Sequence, residues 1–149
     1  MSMDTPPPAP PPPPPGGSGS SGSAAAPPAN PLIGYWKLVV LERYAQFEGR
    51  ARRAEFWWFV LANIIISVGL FVLTAIASVF IVLYIIFWVG MLVPGLAVGV
   101  RRLHDTGKSG WFLLLEFIPL IGPIILLVFF ATDSTRGTNQ FGTSEKYPS

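Results

Sequence analysis

The fold is decided by residues 56–100, which read FWWFVLANIIISVGLFVLTAIASVFIVLYIIFWVGMLVPGLAVGV. These forty-five residues include no Asp, Glu, Lys, Arg or His. A charge-free run of this length is typical of a chain that crosses lipid. Basic residues border the run on both sides, as they do at a membrane surface; they are Arg50, Arg52, Arg53, Arg101 and Arg102.

The length of this run predicts two membrane crossings. As one helix it would extend roughly 67 Å at about 1.5 Å per residue, whereas the hydrocarbon core of a bilayer is about 30 Å thick. The run is too long for one crossing and too short for three. We therefore predict a tight hairpin of two helices, over about 56–77 and 80–100. The polar residues Thr74 and Ser78 place the turn between Thr74 and Phe80.

A third apolar run covers residues 111–131 and is long enough for one more crossing. Pro119, Gly122 and Pro123 interrupt it, so a re-entrant hairpin is the alternative to a kinked span. The predicted fold is an all-α membrane protein with three transmembrane helices. Its membrane domain covers 49–132, and a polar C-terminal tail covers 133–149.

The N-terminal part divides into two segments. Residues 1–31 are rich in Pro, Gly and Ser, which predicts a disordered tail; a docking site for a proline-binding groove is the alternative. Over 32–48 apolar residues recur every three or four positions, which predicts an amphipathic helix lying in the headgroup layer and ending at Gly49. The alternative is a short helix that packs on a partner protein.

The distribution of basic residues predicts the orientation. Three crossings place eight of the ten Lys and Arg residues on the side of the N-terminus. Since cytoplasmic loops carry the excess of basic residues, we expect a cytoplasmic N-terminus and an external C-terminus. A re-entrant third run would make the C-terminus cytoplasmic as well.

The composition limits the chemistry. Charged residues make up 12 % of the chain and cysteine is absent, which excludes disulfides, thiolate nucleophiles and Cys-ligated metals. One histidine falls short of a transition-metal site, and no nucleophile–base arrangement or phosphate-binding glycine loop can be assembled. We therefore predict no enzymatic activity, no catalytic residue and neither cofactor nor metal. Because the basic residues adjoin apolar runs, the expected partners are anionic lipid headgroups and a membrane protein or second copy, not nucleic acid.

Polar residues at the borders of the apolar runs are the candidate functional or lipid-facing positions. The arginines can hold lipid phosphates, and Glu55 lies one turn from Arg52. His104 and Asp105 suggest either a proton-handling pair or a loop fixed by bonds from Asp105 to Arg101 or Arg102. The full set is Arg50, Arg52, Arg53, Glu55, Arg101, Arg102, His104, Asp105, Trp111 and Glu116.

Glu116 stands out because it lies five residues into the third apolar run. A carboxylate is costly in hydrocarbon, so its presence suggests movement of protons or cations. It is also shallow enough to form an ion pair with Lys108. Both interpretations stay open at this point.

Three groups of residues resemble the motifs of a known family. They are Gly49-Arg50-Ala51-Arg52-Arg53 with Glu55-Phe56-Trp57, then Arg101-Arg102-Leu103-His104-Asp105 with Gly107 and Ser109-Gly110-Trp111, and last Ile118-Pro119 with Gly122 and Asn139-Gln140-Phe141-Gly142. In this order they resemble domain-of-unknown-function family 805, over about residues 35–142. The resemblance implies a small bacterial inner-membrane protein with a few spans, and it brings no established activity, substrate or cofactor.

Two features depart from the family pattern: the proline-rich tail, and Glu116 at a position that is usually apolar. The first hypothesis for function is a non-enzymatic accessory or scaffold subunit. The alternative is a small oligomeric transporter or channel for ions or small molecules that uses Glu116 and the His104/Asp105 loop.

Overall fold

A computed structural model describes residues 27–147. Helix α1 (Pro31–Lys37) continues into a π-helical turn (Leu38–Glu42), and the long helices α2 (Arg53–Ile76) and α3 (Phe80–Asp105) follow. After them come a 3-10 helix (Gly110–Phe117), helix α4 (Ile121–Ala131) and a small antiparallel hairpin of β1 (Thr138–Asn139) and β2 (Gly142–Thr143). The predicted disordered tail lies, as far as residue 26, outside the described residues.

Helices α2 and α3 form the predicted hairpin. With 24 and 26 residues they are about 36 and 39 Å long, enough to cross a bilayer. The turn lies at residues 77–79, inside the predicted interval. Helix α3 does not end at Val100 as predicted: it continues to Asp105 because polar side chains of other segments satisfy its charged last turns. Arg101 and Arg102 therefore lie on a helix and not in a loop.

Burial along the hairpin is the reverse of that in a soluble protein. Large apolar side chains such as Ile76 and Val89 are 74 % and 67 % exposed, whereas Glu55 and Arg102 are completely buried. In the most apolar 18-residue windows of α2 and α3, only 22 % and 17 % of the residues are buried within the protein. Apolar surface of this extent is stable against lipid and not against water. This pattern supports the predicted membrane protein.

The predicted third span is not confirmed. The run 111–131 is divided into the 3-10 helix and α4, and α4 has 11 residues, about 16 Å, which is too short to cross. The division falls at Ile118, which is extended (φ −90°, ψ 104°) as a residue before proline prefers. Helix α4 then turns back onto the 3-10 helix, where a Cβ at Gly122 would overlap the Leu115 carbonyl. The chain therefore reverses direction within the run 111–131, as the re-entrant alternative requires.

The N-terminal helix is shorter than predicted and packs on α2. Asn30 caps α1 and the helical segment ends at Glu42, not at 48. Gly49 has φ 87° but lies in the loop 43–52 that follows, so it does not end this helix. Leu32 and Trp36 flank α2, and Val39 is buried against Phe56. The helix packs along α2 of its own chain, and a position in the headgroup layer is not confirmed.

Pro94 lies inside α3 and leaves one backbone carbonyl without its helical partner. Proline has no N–H group, so the Gly90 carbonyl, four residues earlier, loses its usual donor. The Tyr44 hydroxyl donates to this carbonyl over 2.7 Å. A backbone acceptor at membrane depth needs such a partner, because lipid offers no hydrogen bond.

We expect Tyr44→Phe to lower the free energy of unfolding by about 0.5–1.5 kcal/mol, the range of single hydrogen bonds in membrane proteins. The control is the same substitution in a Pro94→Ala background, where the backbone N–H restored at position 94 can bond the Gly90 carbonyl. There the cost should vanish. Reversible unfolding in mixed detergent micelles measures both, and an equal cost in the two backgrounds would contradict this role for Tyr44.

Candidate functional site

The antiparallel hairpin brings the start of α2 and the end of α3 to the same end of the protein. Five charged residues are buried there, and we call them the polar cap: Arg50, Glu55, Arg101, Arg102 and Asp105. The loop 43–52 and residues 132–147 contribute partners to it. Buried charges are tolerated only when they are paired and hydrogen-bonded, so their partners define the site.

Glu55 joins α2 to α3. Its Oε1 accepts a bond of 2.6 Å from Arg101 Nη1, and its Oε2 accepts one of 3.0 Å from Arg43 Nη1. Arg43 also reaches Glu145 near the C-terminus, at 3.3 Å. The predicted partner Arg52 is instead the residue that precedes α2. Glu55 therefore holds the two long helices and the loop together at their charged end.

Asp105 is the second carboxylate of the polar cap. Its Oδ1 accepts from Arg50 Nε at 3.0 Å, and its Oδ2 accepts from Arg102 Nη1 and from the Ser134 hydroxyl, both at 2.5 Å. The sequence predicted a bond to Arg101 or Arg102, and Arg102 forms it. Charge-assisted bonds of this kind are roughly twice as strong as neutral ones.

The two arginines bound to Asp105 also hold the C-terminal segment. Arg50 donates to the carbonyls of Thr135, Gly137 and Gly142, at 2.5, 2.9 and 3.1 Å. Arg102 donates to the carbonyls of Phe130, at 3.1 Å, and Thr132. These last carbonyls belong to the end of α4, where helical acceptors are free and a cation is favourable. The tail is thereby fixed at the same end as the loop 43–52.

His104 takes part in a different set of contacts. Its Nδ1 lies 3.2 Å from the Gly49 carbonyl, and its ring stacks on Phe141 with centroids 3.8 Å apart. The Asn139 amide donates to the His104 carbonyl at 2.9 Å. Within residues 27–147, the hydrogen-bond partners of the His104 ring therefore do not include Asp105. The geometry favours the structural interpretation, in which hydrogen bonds fix this end of α3, over that of a proton-handling pair.

The remaining candidate residues lie at the periphery. Arg53 is half-exposed, 4.0 Å from Asp133. Trp111 is 78 % exposed, and Glu116 is exposed on the 3-10 helix. The predicted pair of Glu116 and Lys108 is not among the ion pairs of the described residues, and the Lys108 ammonium lies 4.7 Å from the centre of the Phe129 ring. The structure does not bring Trp111 or Glu116 into the polar cap.

Asp133 forms a small exposed cluster beside the polar cap. Hydrogen bonds from Lys146, at 2.6 Å, and from the Ser134 amide lower the pKa of this carboxyl to about 2. It is therefore ionised at any physiological pH. Being exposed, it serves as a comparison for the buried Asp105.

The polar cap can hold three parts of the chain together: the loop 43–52, the charged end of the hairpin and residues 132–147. Its carboxylate oxygens all accept hydrogen bonds from within the chain, and Arg50 and Arg102 bond backbone carbonyls in addition.

Sequence reasoning missed Arg43, Ser134 and Thr135 as partners. Hydroxyl residues after an apolar run are common, so no local signal marks them, whereas Asn139 and Phe141 were contained in the third motif.

We expect Asp105→Asn to release the tail and to lower the free energy of unfolding by about 3–5 kcal/mol, because two buried guanidinium groups lose their counter-charge. Hydrogen exchange of the amides in residues 132–147 should become faster. The matched control is Asp133→Asn at an exposed carboxylate, which should change stability by less than about 0.5 kcal/mol. Unchanged exchange in the Asp105 variant would show that the polar cap does not hold the tail.

Comparison with known proteins shows the family of the chain. Residues 44–143 match the family described as "Protein of unknown function (DUF805)". The chain is 43 % identical over 115 residues to the inner membrane protein YhaI of Escherichia coli (strain K12), a match that covers 76 % of this chain and 98 % of YhaI. It is 42 % identical over 116 residues to the inner membrane protein YhaH of the same strain, with 74 % and 96 % covered. No solved structure matches the chain.

The matched range begins at Tyr44 and ends at Thr143, so it includes the hairpin, the run 111–131 and every residue of the polar cap. The relatives are named for their membrane and not for an activity, which supports a location in the bacterial inner membrane. The chain belongs to the DUF805 family of inner membrane proteins.

Proposed function

We propose that this protein is a non-enzymatic accessory or scaffold subunit that acts by association with another protein in the inner membrane. The pairing of its buried charges within the chain supports this proposal. The carboxylates of the polar cap are saturated by partners of the same chain, so they stabilise the fold. What the protein offers to a partner is the apolar surface of a hairpin that α1 and the re-entrant segment cover only in the half next to the polar cap.

One observation carries the proposal: a lipid-facing groove between α2 and α3, with a volume of about 300 Å³. Asn63, Ser67 and Gly95 line it together with larger apolar residues. Among the described residues, the Asn63 side-chain oxygen and the Ser67 hydroxyl have no hydrogen-bond partner. Small and polar residues are enriched where membrane helices associate, so the groove suits a helix of a partner protein or of a second copy.

We further propose that both termini are cytoplasmic. With the third run re-entrant, all ten Lys and Arg residues lie in segments that flank the polar-cap end of the hairpin, and the turn at 77–79 has none. The excess of basic residues marks the cytoplasmic side. This topology replaces the external C-terminus expected from three crossings.

The alternative, a small oligomeric transporter or channel, rests on Glu116. Its carboxylate is exposed on the re-entrant segment, and irregular backbone at membrane depth is found where it lines a water-filled cavity. His104 and Asp105 support this alternative less, since their side chains are engaged by Gly49, Phe141 and the arginines.

Gly95→Leu tests the groove because a Cβ added at Gly95 meets no atom of the described residues within 4 Å, so the larger side chain can extend into the groove. We expect purification in mild detergent to yield a stoichiometric partner with the wild type and to lose it with this variant. Gly69→Leu, at an equally open glycine outside the groove, should retain it. Equal recovery from all three proteins would contradict association through the groove, and a closed homo-oligomer around a polar pore would favour the channel.

A further inference from the structure

A second cleft, with a volume of about 630 Å³, opens beside the polar cap. The loop residues Phe47 and Glu48, one face of α3, the 3-10 helix and Phe141 enclose it. It is separate from the groove between α2 and α3, and the proposed function makes no use of it. Its size lies within the range of small-molecule sites.

Along α3 the lining of the cleft changes from apolar to polar. Leu96, Val100 and His104 line it at intervals of four residues, so they lie on one side of the helix. From Leu96 to His104 the cleft follows α3 for about 12 Å. One end therefore lies at apolar depth and the other at the charged end of the hairpin.

The deep end is suited to a hydrocarbon chain. Leu113 and Leu114 of the 3-10 helix face Leu96 and Val100 across it, and Trp111 forms its edge. Trp111 is 78 % exposed, and a tryptophan at the headgroup level commonly borders lipid. These walls bury apolar surface and offer nothing to orient a polar ligand.

The shallow end offers hydrogen-bond acceptors. Glu48 is exposed, and no hydrogen bond or ion pair engages its carboxylate within the described part of the chain. The Gly49 carbonyl, as an acceptor, fixes the proton of neutral His104 on Nδ1 and leaves Nε2 as an acceptor. Stacking on Phe141 holds this ring in place. The guanidinium groups of Arg101 and Arg102 are buried within the protein and not available at this end.

We propose that the cleft binds one molecule of an aminophospholipid of the surrounding bilayer. Its acyl chain lies along Leu96 and Val100, and its ammonium group donates to the Glu48 carboxylate and His104. With the Glu48 carboxylate and His104 at its shallow end, the cleft favours a primary ammonium over a purely anionic headgroup. The Ser109 hydroxyl, which also lines the cleft, can donate to the lipid phosphate. The lipid would lie between the loop residues Phe47 and Glu48 and the surface that α3 forms with the 3-10 helix.

Native mass spectrometry of the full-length protein in detergent tests the headgroup. The probes are phosphatidylethanolamine and phosphatidylglycerol with identical acyl chains. We expect one phosphatidylethanolamine to bind in preference to phosphatidylglycerol. Glu48→Gln should weaken that binding about two- to fivefold, the effect of one exposed ion pair, and remove the preference. Glu42→Gln, an exposed glutamate that does not line the cleft, is the control and should keep it.

A second pair of variants tests the cleft itself. Leu114→Trp should fill it and abolish the bound lipid, whereas Leu127→Trp, at an equally exposed leucine of α4, should not. In the unmodified protein, lipid brominated on the acyl chain should quench the part of the fluorescence that Trp111→Phe removes. A Glu48 variant with unchanged headgroup preference would overturn the ammonium site. Lipid retained by Leu114→Trp, or Trp111 emission that brominated lipid leaves unquenched, would overturn the cleft.

Discussion

The structure depends on Asp105, where two buried guanidinium groups and one hydroxyl meet a single carboxylate. Burying such charges is costly unless each is paired, and a charge in hydrocarbon is costlier still. The pairing with Arg50 and Arg102 therefore fixes the depth of the hairpin end and the path of the chain around it. Because these arginines also bond carbonyls of residues 130–142, they hold the end of α4 and the tail beside the hairpin end.

The rest of the fold follows from satisfying polar groups where water is absent. Two long helices satisfy their own backbone, so α2 and α3 can expose apolar side chains to lipid. Each interruption needs a partner: Tyr44 supplies a donor for the carbonyl that Pro94 leaves free, and Arg102 supplies one for the end of α4. Glu55 with Arg101 and Arg43 closes the other half of the polar cap. At the polar-cap end of the hairpin the charged side chains are therefore buried within the protein, whereas along the hairpin the large apolar side chains are exposed.

Much of this could be predicted from the sequence. The length of the charge-free run predicts the hairpin and its turn. The motifs at the two borders of the run indicate the family and contain all residues of the polar cap. The pairing could not be predicted, since Glu55 and Arg101 are 46 positions apart and only the hairpin register joins them. The third run was ambiguous because its length suits a span while Pro119 and Gly122 permit a reversal. The extent of the N-terminal helix was wrong because a periodic apolar pattern does not show where helical hydrogen bonding ends.

The tail after α4 lies at the same end of the hairpin as the arginine-rich loop, and labelling in cells tests this placement directly. The absence of cysteine from the chain allows single-cysteine labelling with a membrane-impermeant maleimide. Ser78 in the turn and Gln140 in the tail are both exposed and suit this substitution. In intact spheroplasts we expect Ser78→Cys to be labelled and Gln140→Cys to be labelled only after permeabilisation. Labelling of Gln140→Cys in intact spheroplasts would show that the third run crosses the membrane, and would contradict a tail on the same side as the arginine-rich loop.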